Sequence, residues 1–112
     1  MQDSKNNLLK EVYNQAKLVF GEDLRDVYLY GSYARGDYTE NCDIDFLITV
    51  NASSDEISKL RHLISKASSR LSLQYDITFS VTVKPLEQFN KYSSVLPYYQ
   101  NVLKEGIKYA NW

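Results

Sequence analysis

Cysteine, proline and glycine are scarce in this chain. Its 112 residues include one Cys, two Pro and four Gly. The lone Cys42 permits no internal disulfide and no cysteine-built zinc site. So few Gly and Pro leave no long flexible linker. A dominant charge is lacking too. Lys and Arg total 13 against 14 Asp and Glu, a formal charge of -1. Nothing pulls the whole surface toward nucleic acid, and direct nucleic-acid binding is not expected. No apolar run approaches the roughly 20 residues that span a bilayer. The start, Met1-Gln2-Asp3-Ser4-Lys5-Asn6-Asn7, is too polar to open a secretory signal. The expectation is a reduced, cytoplasmic protein with no membrane attachment.

What is present suits an ordinary globule. Hydrophobic residues make up 44% and charged residues 24%, and the length fits one domain over 1–112. Ten of the apolar class are Tyr, so part of that fraction carries hydroxyls. From Ser4 to Phe20, Leu8, Leu9, Val12, Tyr13, Ala16, Val19 and Phe20 recur at three- and four-residue steps, which predicts a helix. Asp3 or Ser4 suits its cap and Gly21 its end. Asp26 to Tyr30 is rich in strand formers. Tyr33 to Asn41 reads as a turn of helix and a loop. Asp43 to Val50 alternates as a second strand, with Ile44, Phe46, Ile48 and Val50 on one face and Asp43, Asp45, Leu47 and Thr49 on the other. Ser53 and Glu56 have capping-box spacing, and a helical stripe runs from there to about Leu73. Tyr75 to Val83 alternates again, which predicts a third strand with Asp76, Thr78, Ser80 and Thr82 on its polar face. Short helices follow over Leu86–Tyr92 and Tyr98–Glu105. The order predicts an α+β fold, a small mixed β-sheet flanked by helices.

The chemistry concentrates in Gly31-Ser32-Tyr33-Ala34-Arg35-Gly36-Asp37 and Asp43-Ile44-Asp45. Two carboxylates two residues apart on a strand point the same way, and they repel unless a cation or a proton intervenes. Hard divalent ions such as Mg2+ favour oxygen ligands of this kind. Asp76 joins them if the second and third strands pair. Three carboxylates around two metals make a phosphoryl or nucleotidyl transfer site. Gly31 lets backbone approach a ligand, Ser32 offers a hydroxyl to phosphate, and Arg35 a fixed positive charge. Taken singly, each feature has a plain reading: Gly-Ser as a turn, Asp-x-Asp as solvated surface, Asp76 as a surface residue of an amphipathic strand. The joint arrangement carries the functional reading.

Gly31-Ser32, the ten residues Tyr33–Cys42, then Asp43-x-Asp45 resembles the signature of the DNA polymerase beta-like nucleotidyltransferase superfamily. The string through Asp-Ile-Asp-Phe-Leu-Ile resembles its minimal nucleotidyltransferase (MNT) branch, and the likeness extends to Lys104-Glu105-Gly106-Ile107. The resemblance implies a polymerase beta-like nucleotidyltransferase fold, with Gly31 and Ser32 binding the triphosphate and Asp43 and Asp45 holding two Mg2+ ions. It makes Asp76 the completing ligand, able to help deprotonate the acceptor. Members commonly carry Ser where this chain has Cys42, a position that supplies no metal ligand. Cys42 has no base near it in sequence, and His62 reads as an exposed helix residue.

The length leaves no room for a separate acceptor-binding domain. The resemblance implies an MNT antitoxin paired with a HEPN-domain toxin, transferring AMP from ATP to a tyrosine of that partner. Two other readings stand beside it: a non-catalytic antitoxin that acts by binding, and the catalytic subunit of a two-part small-molecule transferase. The aromatics Tyr92, Tyr98, Tyr99, Tyr109 and Trp112 are a candidate interface, and packing of the last helices explains them equally well.

Overall fold

The structure, a computed structural model, describes residues 2–36 and 43–109, with backbone alone for 2–5, 32 and 33. Cys42 and Trp112, and the side chains of Asp3, Ser4 and Ser32, therefore lie outside the described set. Helix α1 (Gln2–Phe20) ends where Gly21 turns left-handed, at φ +58°, into a 3-10 turn. Strand β1 (Leu24–Tyr30), the short helix α2 (Ser32–Arg35) and strand β2 (Ile44–Val50) follow. Helix α3 (Ser54–Tyr75) begins with the expected capping box, Ser53 and Glu56 each bonding the other's backbone. Then come β3 (Phe79–Pro85), α4 (Leu86–Tyr92), α5 (Pro97–Glu105) and the two-residue β4 (Ile107–Lys108).

The sheet order is β3-β2-β1-β4. β1 pairs antiparallel with β2 and β4, whereas β2 and β3 run parallel. A parallel pair needs a long crossover, and α3 supplies it. One face buries Leu9, Val12 and Ala16 of α1 and Ile57, Ile64 and Leu71 of α3 against Val27, Leu29, Ile44, Phe46 and Ile48. The other buries Phe89 of α4 and Tyr99 and Val102 of α5 against Tyr28 and Leu47. β2 is therefore covered on both sides, and among its seven residues only Asp45 is not buried. Removing each large apolar side chain from water contributes about 1.5–3 kcal/mol, so this strand anchors the fold.

The third strand corrects the sequence expectation. The helix runs on to Tyr75 and the strand starts at Phe79, so Tyr75 and Asp76 are not strand residues. Ser72 organises the change of direction. Its carbonyl accepts the Asp76 and Ile77 amides, and its hydroxyl accepts the Phe79 amide at 2.9 Å. Asp76 itself is left-handed at φ +54°, a conformation Asp tolerates better than most residues. The alternation from Tyr75 misled because Tyr75 packs on the core from the last helical turn and Ile77 from the connection, which imitates a strand's period.

Candidate active site

The carboxylates stand at the end of the sheet where β1 leaves and β2 enters. Asp45 pairs across with Tyr30 of β1 and with Ser80 of β3, so these three side chains share the face covered by α4 and α5. Asp43, just before the strand, is exposed. Burial, and next the charge of Asp43, push the Asp45 carboxyl above its ordinary range. Two carboxylates are thus close enough to repel. Among the described residues neither a hydrogen bond nor an ion pair reaches the Asp45 carboxylate. That is a pair of hard oxygen donors lacking a counter-charge, and it fits a divalent cation.

Gly31 closes the other side. It sits at φ +80°, and a Cβ built there would stand 2.8 Å from Asp45 Oδ2. Only glycine permits both the backbone angle and the approach. Its carbonyl accepts the Arg35 amide at 3.1 Å, opening α2. The arrangement sets Gly31, just ahead of α2, against the Asp45 carboxylate.

Asp76 is placed differently from the expectation, and Arg35 is engaged within the fold. Arg35 Nη1 lies 2.8 Å from Glu105 Oε2 and ties α2 to the end of α5. Asp76 is the exposed C-cap of α3, ahead of β3. Among the described residues no group of three His, Cys, Asp or Glu stands together to hold a metal. The expectation that Asp76 lies on the third strand beside Asp45 is therefore corrected: parallel pairing sets Ser80 opposite Asp45, four residues further along the chain.

Tyr30 was not singled out by sequence reasoning, and Tyr98 only as one of a group of aromatics. The Tyr30 hydroxyl meets the Tyr98 hydroxyl at 2.8 Å, and the rings cross edge-on at 5.6 Å. Burial chiefly, then the Tyr98 hydrogen bond, hold the Tyr30 phenol well above its ordinary range, with Asp45 adding to the shift and a hydrogen bond from Thr82 opposing it. Tyr30 is protonated at neutral pH. Alternation along β1 put Tyr28 and Tyr30 on one face, but nothing in the sequence announced their register with β2. The aromatic cluster expected as one interface divides. Tyr99 is core, Tyr109 stacks on Tyr13, and Tyr92 and Tyr98 are exposed. His62 is exposed on α3, as expected.

A cleft of about 510 Å³ opens at the opposite end of β2, lined by residues including Asn51, Ser53, Ser54, Gln88 and Lys91. Its lining holds no pair of carboxylates such as Asp43 and Asp45 present.

Residues 9–109 match the nucleotidyltransferase domain family, and the chain belongs to that family as a nucleotidyltransferase. One relative, from Methanocaldococcus jannaschii and named "Putative protein adenylyltransferase", is 36% identical over 98 residues, covering 88% of this chain and 90% of its own. In fold the chain is similar to a crystal structure of a toxin–antitoxin pair with AMP-PNP. The TM-score is 0.59 and the identity 18%, over 92% of this chain and 73% of that one. It is also similar to a chain in the complex of tri-AMPylated Shewanella oneidensis HEPN toxin with MNT antitoxin. There the TM-score is 0.51 and the identity 18%, over 100% and 74% of the two chains. Among the described residues no helix is long and apolar enough to cross a membrane.

Proposed function

We propose that this chain transfers AMP from ATP to a tyrosine hydroxyl of a HEPN-type partner and so serves as an antitoxin in the cytoplasm. The observation that carries the site is the space the Asp45 carboxylate takes beside Gly31, where a Cβ would stand 2.8 Å from Asp45 Oδ2. It sets the triphosphate-facing turn beside the carboxylate pair. Asp43 and Asp45 are the residues that hold Mg2+, and two ions are expected. Bound Mg2+ supplies neutralisation of the triphosphate and of the leaving pyrophosphate. Gly31 and the start of α2 receive phosphate oxygens. Arg35 reaches phosphate by exchanging its exposed pairing with Glu105, a contact worth under about 1 kcal/mol. The relative named for protein adenylylation and the AMPylated toxin in a similar complex support the choice of nucleotide and of a protein acceptor. The exposed Val95, Leu96, Tyr98 and Leu103 are the partner contact, since Tyr98 links them to Tyr30 beside Asp45.

A second reading has one observation in its favour. Ser80, not a carboxylate, stands in register with Asp45, which suits a chain that neutralises its partner by binding alone. Co-expression with the protein encoded beside it separates the two. Intact mass and α-labelled ATP should show AMP on the partner, absent when Asp43 and Asp45 are both changed to Asn. A partner that stays unmodified yet neutralised establishes binding. Label found only on a small-molecule acceptor points to the two-part transferase.

A further inference from the structure

Tyr98 is the second residue of α5, directly after Pro97, with 38% of its surface exposed. Its hydroxyl is one hydrogen bond from that of Tyr30, and Tyr30 is the β1 residue in register with Asp45. The chain thus holds a solvent-reachable phenol of its own at the rim of the carboxylate site. The neighbouring candidates are poorly placed: Tyr99 is 2% exposed and Tyr28 7%, and Tyr109 is stacked on Tyr13.

Resting on the proposed function, we propose that Tyr98 is a self-modification site, which receives AMP from ATP within the same chain when the partner is absent. The Tyr98 oxygen attacks the α-phosphorus and forms an oxygen–phosphorus bond. The bond from the α-phosphorus to the oxygen bridging the β-phosphate breaks, and its electron pair leaves with pyrophosphate. The phenol proton passes to water. An exposed side chain changes rotamer within nanoseconds, so leaving Tyr30 does not limit the step. Holding the acceptor in the same chain replaces an encounter by a rotation. The adduct puts a charged phosphodiester on the same helix as the exposed Leu103 and two residues after the exposed Leu96. Self-modified protein therefore loses its partner contact, and bound partner shields Tyr98.

The test is the full-length chain with α-labelled ATP and Mg2+, alone and with its HEPN-type partner, followed by peptide mapping. Expected is AMP on Tyr98 in the chain alone, at a first-order rate independent of protein concentration, and suppressed by partner. Tyr98→Phe, which keeps the ring contacts, loses the label to background; Tyr109→Phe keeps it. Label on the partner with none on Tyr98, label on another tyrosine, or a rate rising with protein concentration overturns self-modification and leaves the proposed function standing. No label on either protein overturns both. Mapping of the unsubstituted chain decides the matter even if Tyr98→Phe folds poorly.

Discussion

The two ends of β2 handle polar groups in opposite ways. Near its C-terminal end Thr49 is fully buried, and its hydroxyl accepts the Asp26 amide at 3.1 Å and faces the Asp26 carbonyl at 3.5 Å. This bridge sits at the irregularity where β1 inserts a residue between Leu24 and Asp26. At the N-terminal end Asp45 is half-buried, pressed by Asp43 and by the Gly31 backbone, without a donor among the described residues. A polar group that serves the fold has its partners within the fold. On the proposed function, Asp45 is left for a cation that arrives with the nucleotide. The strand is continuous, so the contrast comes from surroundings and not from local conformation.

Five substitutions test this contrast. Asp43→Asn and Asp45→Asn should each bring Mg2+-dependent transfer to background in a label-transfer assay. Asp45→Asn should also raise the melting temperature of the metal-free protein, because it removes a charge that the fold disfavours. The sign follows from the raised carboxyl: the folded state binds the proton more tightly than the unfolded one, so the ionised form opposes folding above the folded pKa and this opposition fades as pH falls through it. Added Mg2+ should stabilise the unsubstituted protein and leave Asp45→Asn unmoved. Near-complete activity in either variant would remove the carboxylates from the site.

Gly31→Ala comes next. The left-handed backbone alone costs about 1–2 kcal/mol, and the new Cβ forces Asp45 aside. Stability and transfer should fall together, measured by thermal unfolding and by rate. An active, stable Gly31→Ala protein would mean that the tight approach is dispensable.

Thr49→Val tests the structural end. It leaves the half-buried Asp26 amide without its Thr49 acceptor, at a cost of up to about 1–3 kcal/mol, while transfer by the folded fraction stays unchanged. A loss of rate without a loss of stability would contradict the separation of the two ends. Asp76→Gly is expected to do least. Glycine accepts the left-handed cap as readily as Asp, so stability should change by less than about 1 kcal/mol and transfer should persist. A collapse of transfer here, with the fold intact, would return Asp76 to the catalytic site.

Much of this was legible in one dimension. The capping box at Ser53 and Glu56, the helical stripe of α1, and the two-faced alternation of β2 rest on contacts a few residues apart, which spacing reports directly. The Gly31-Ser32 and Asp43-x-Asp45 signature likewise lies in two short segments, so its likeness to nucleotidyltransferases is readable from residue order alone. Register is not readable in that way. Whether Asp76 or Ser80 faces Asp45 depends on where α3 stops, and that is set by hydrogen bonds converging on Ser72. The tie of Arg35 to Glu105 and the meeting of Tyr30 with Tyr98 join residues 70 and 68 positions apart. Short-range periodicity carries no information about such pairs. They exist because α5 packs back across the sheet, burying Tyr99 and Val102 against Tyr28 and Leu47. The sequence determined the elements and the carboxylate pair; packing of helices onto the sheet decided which side chains surround them.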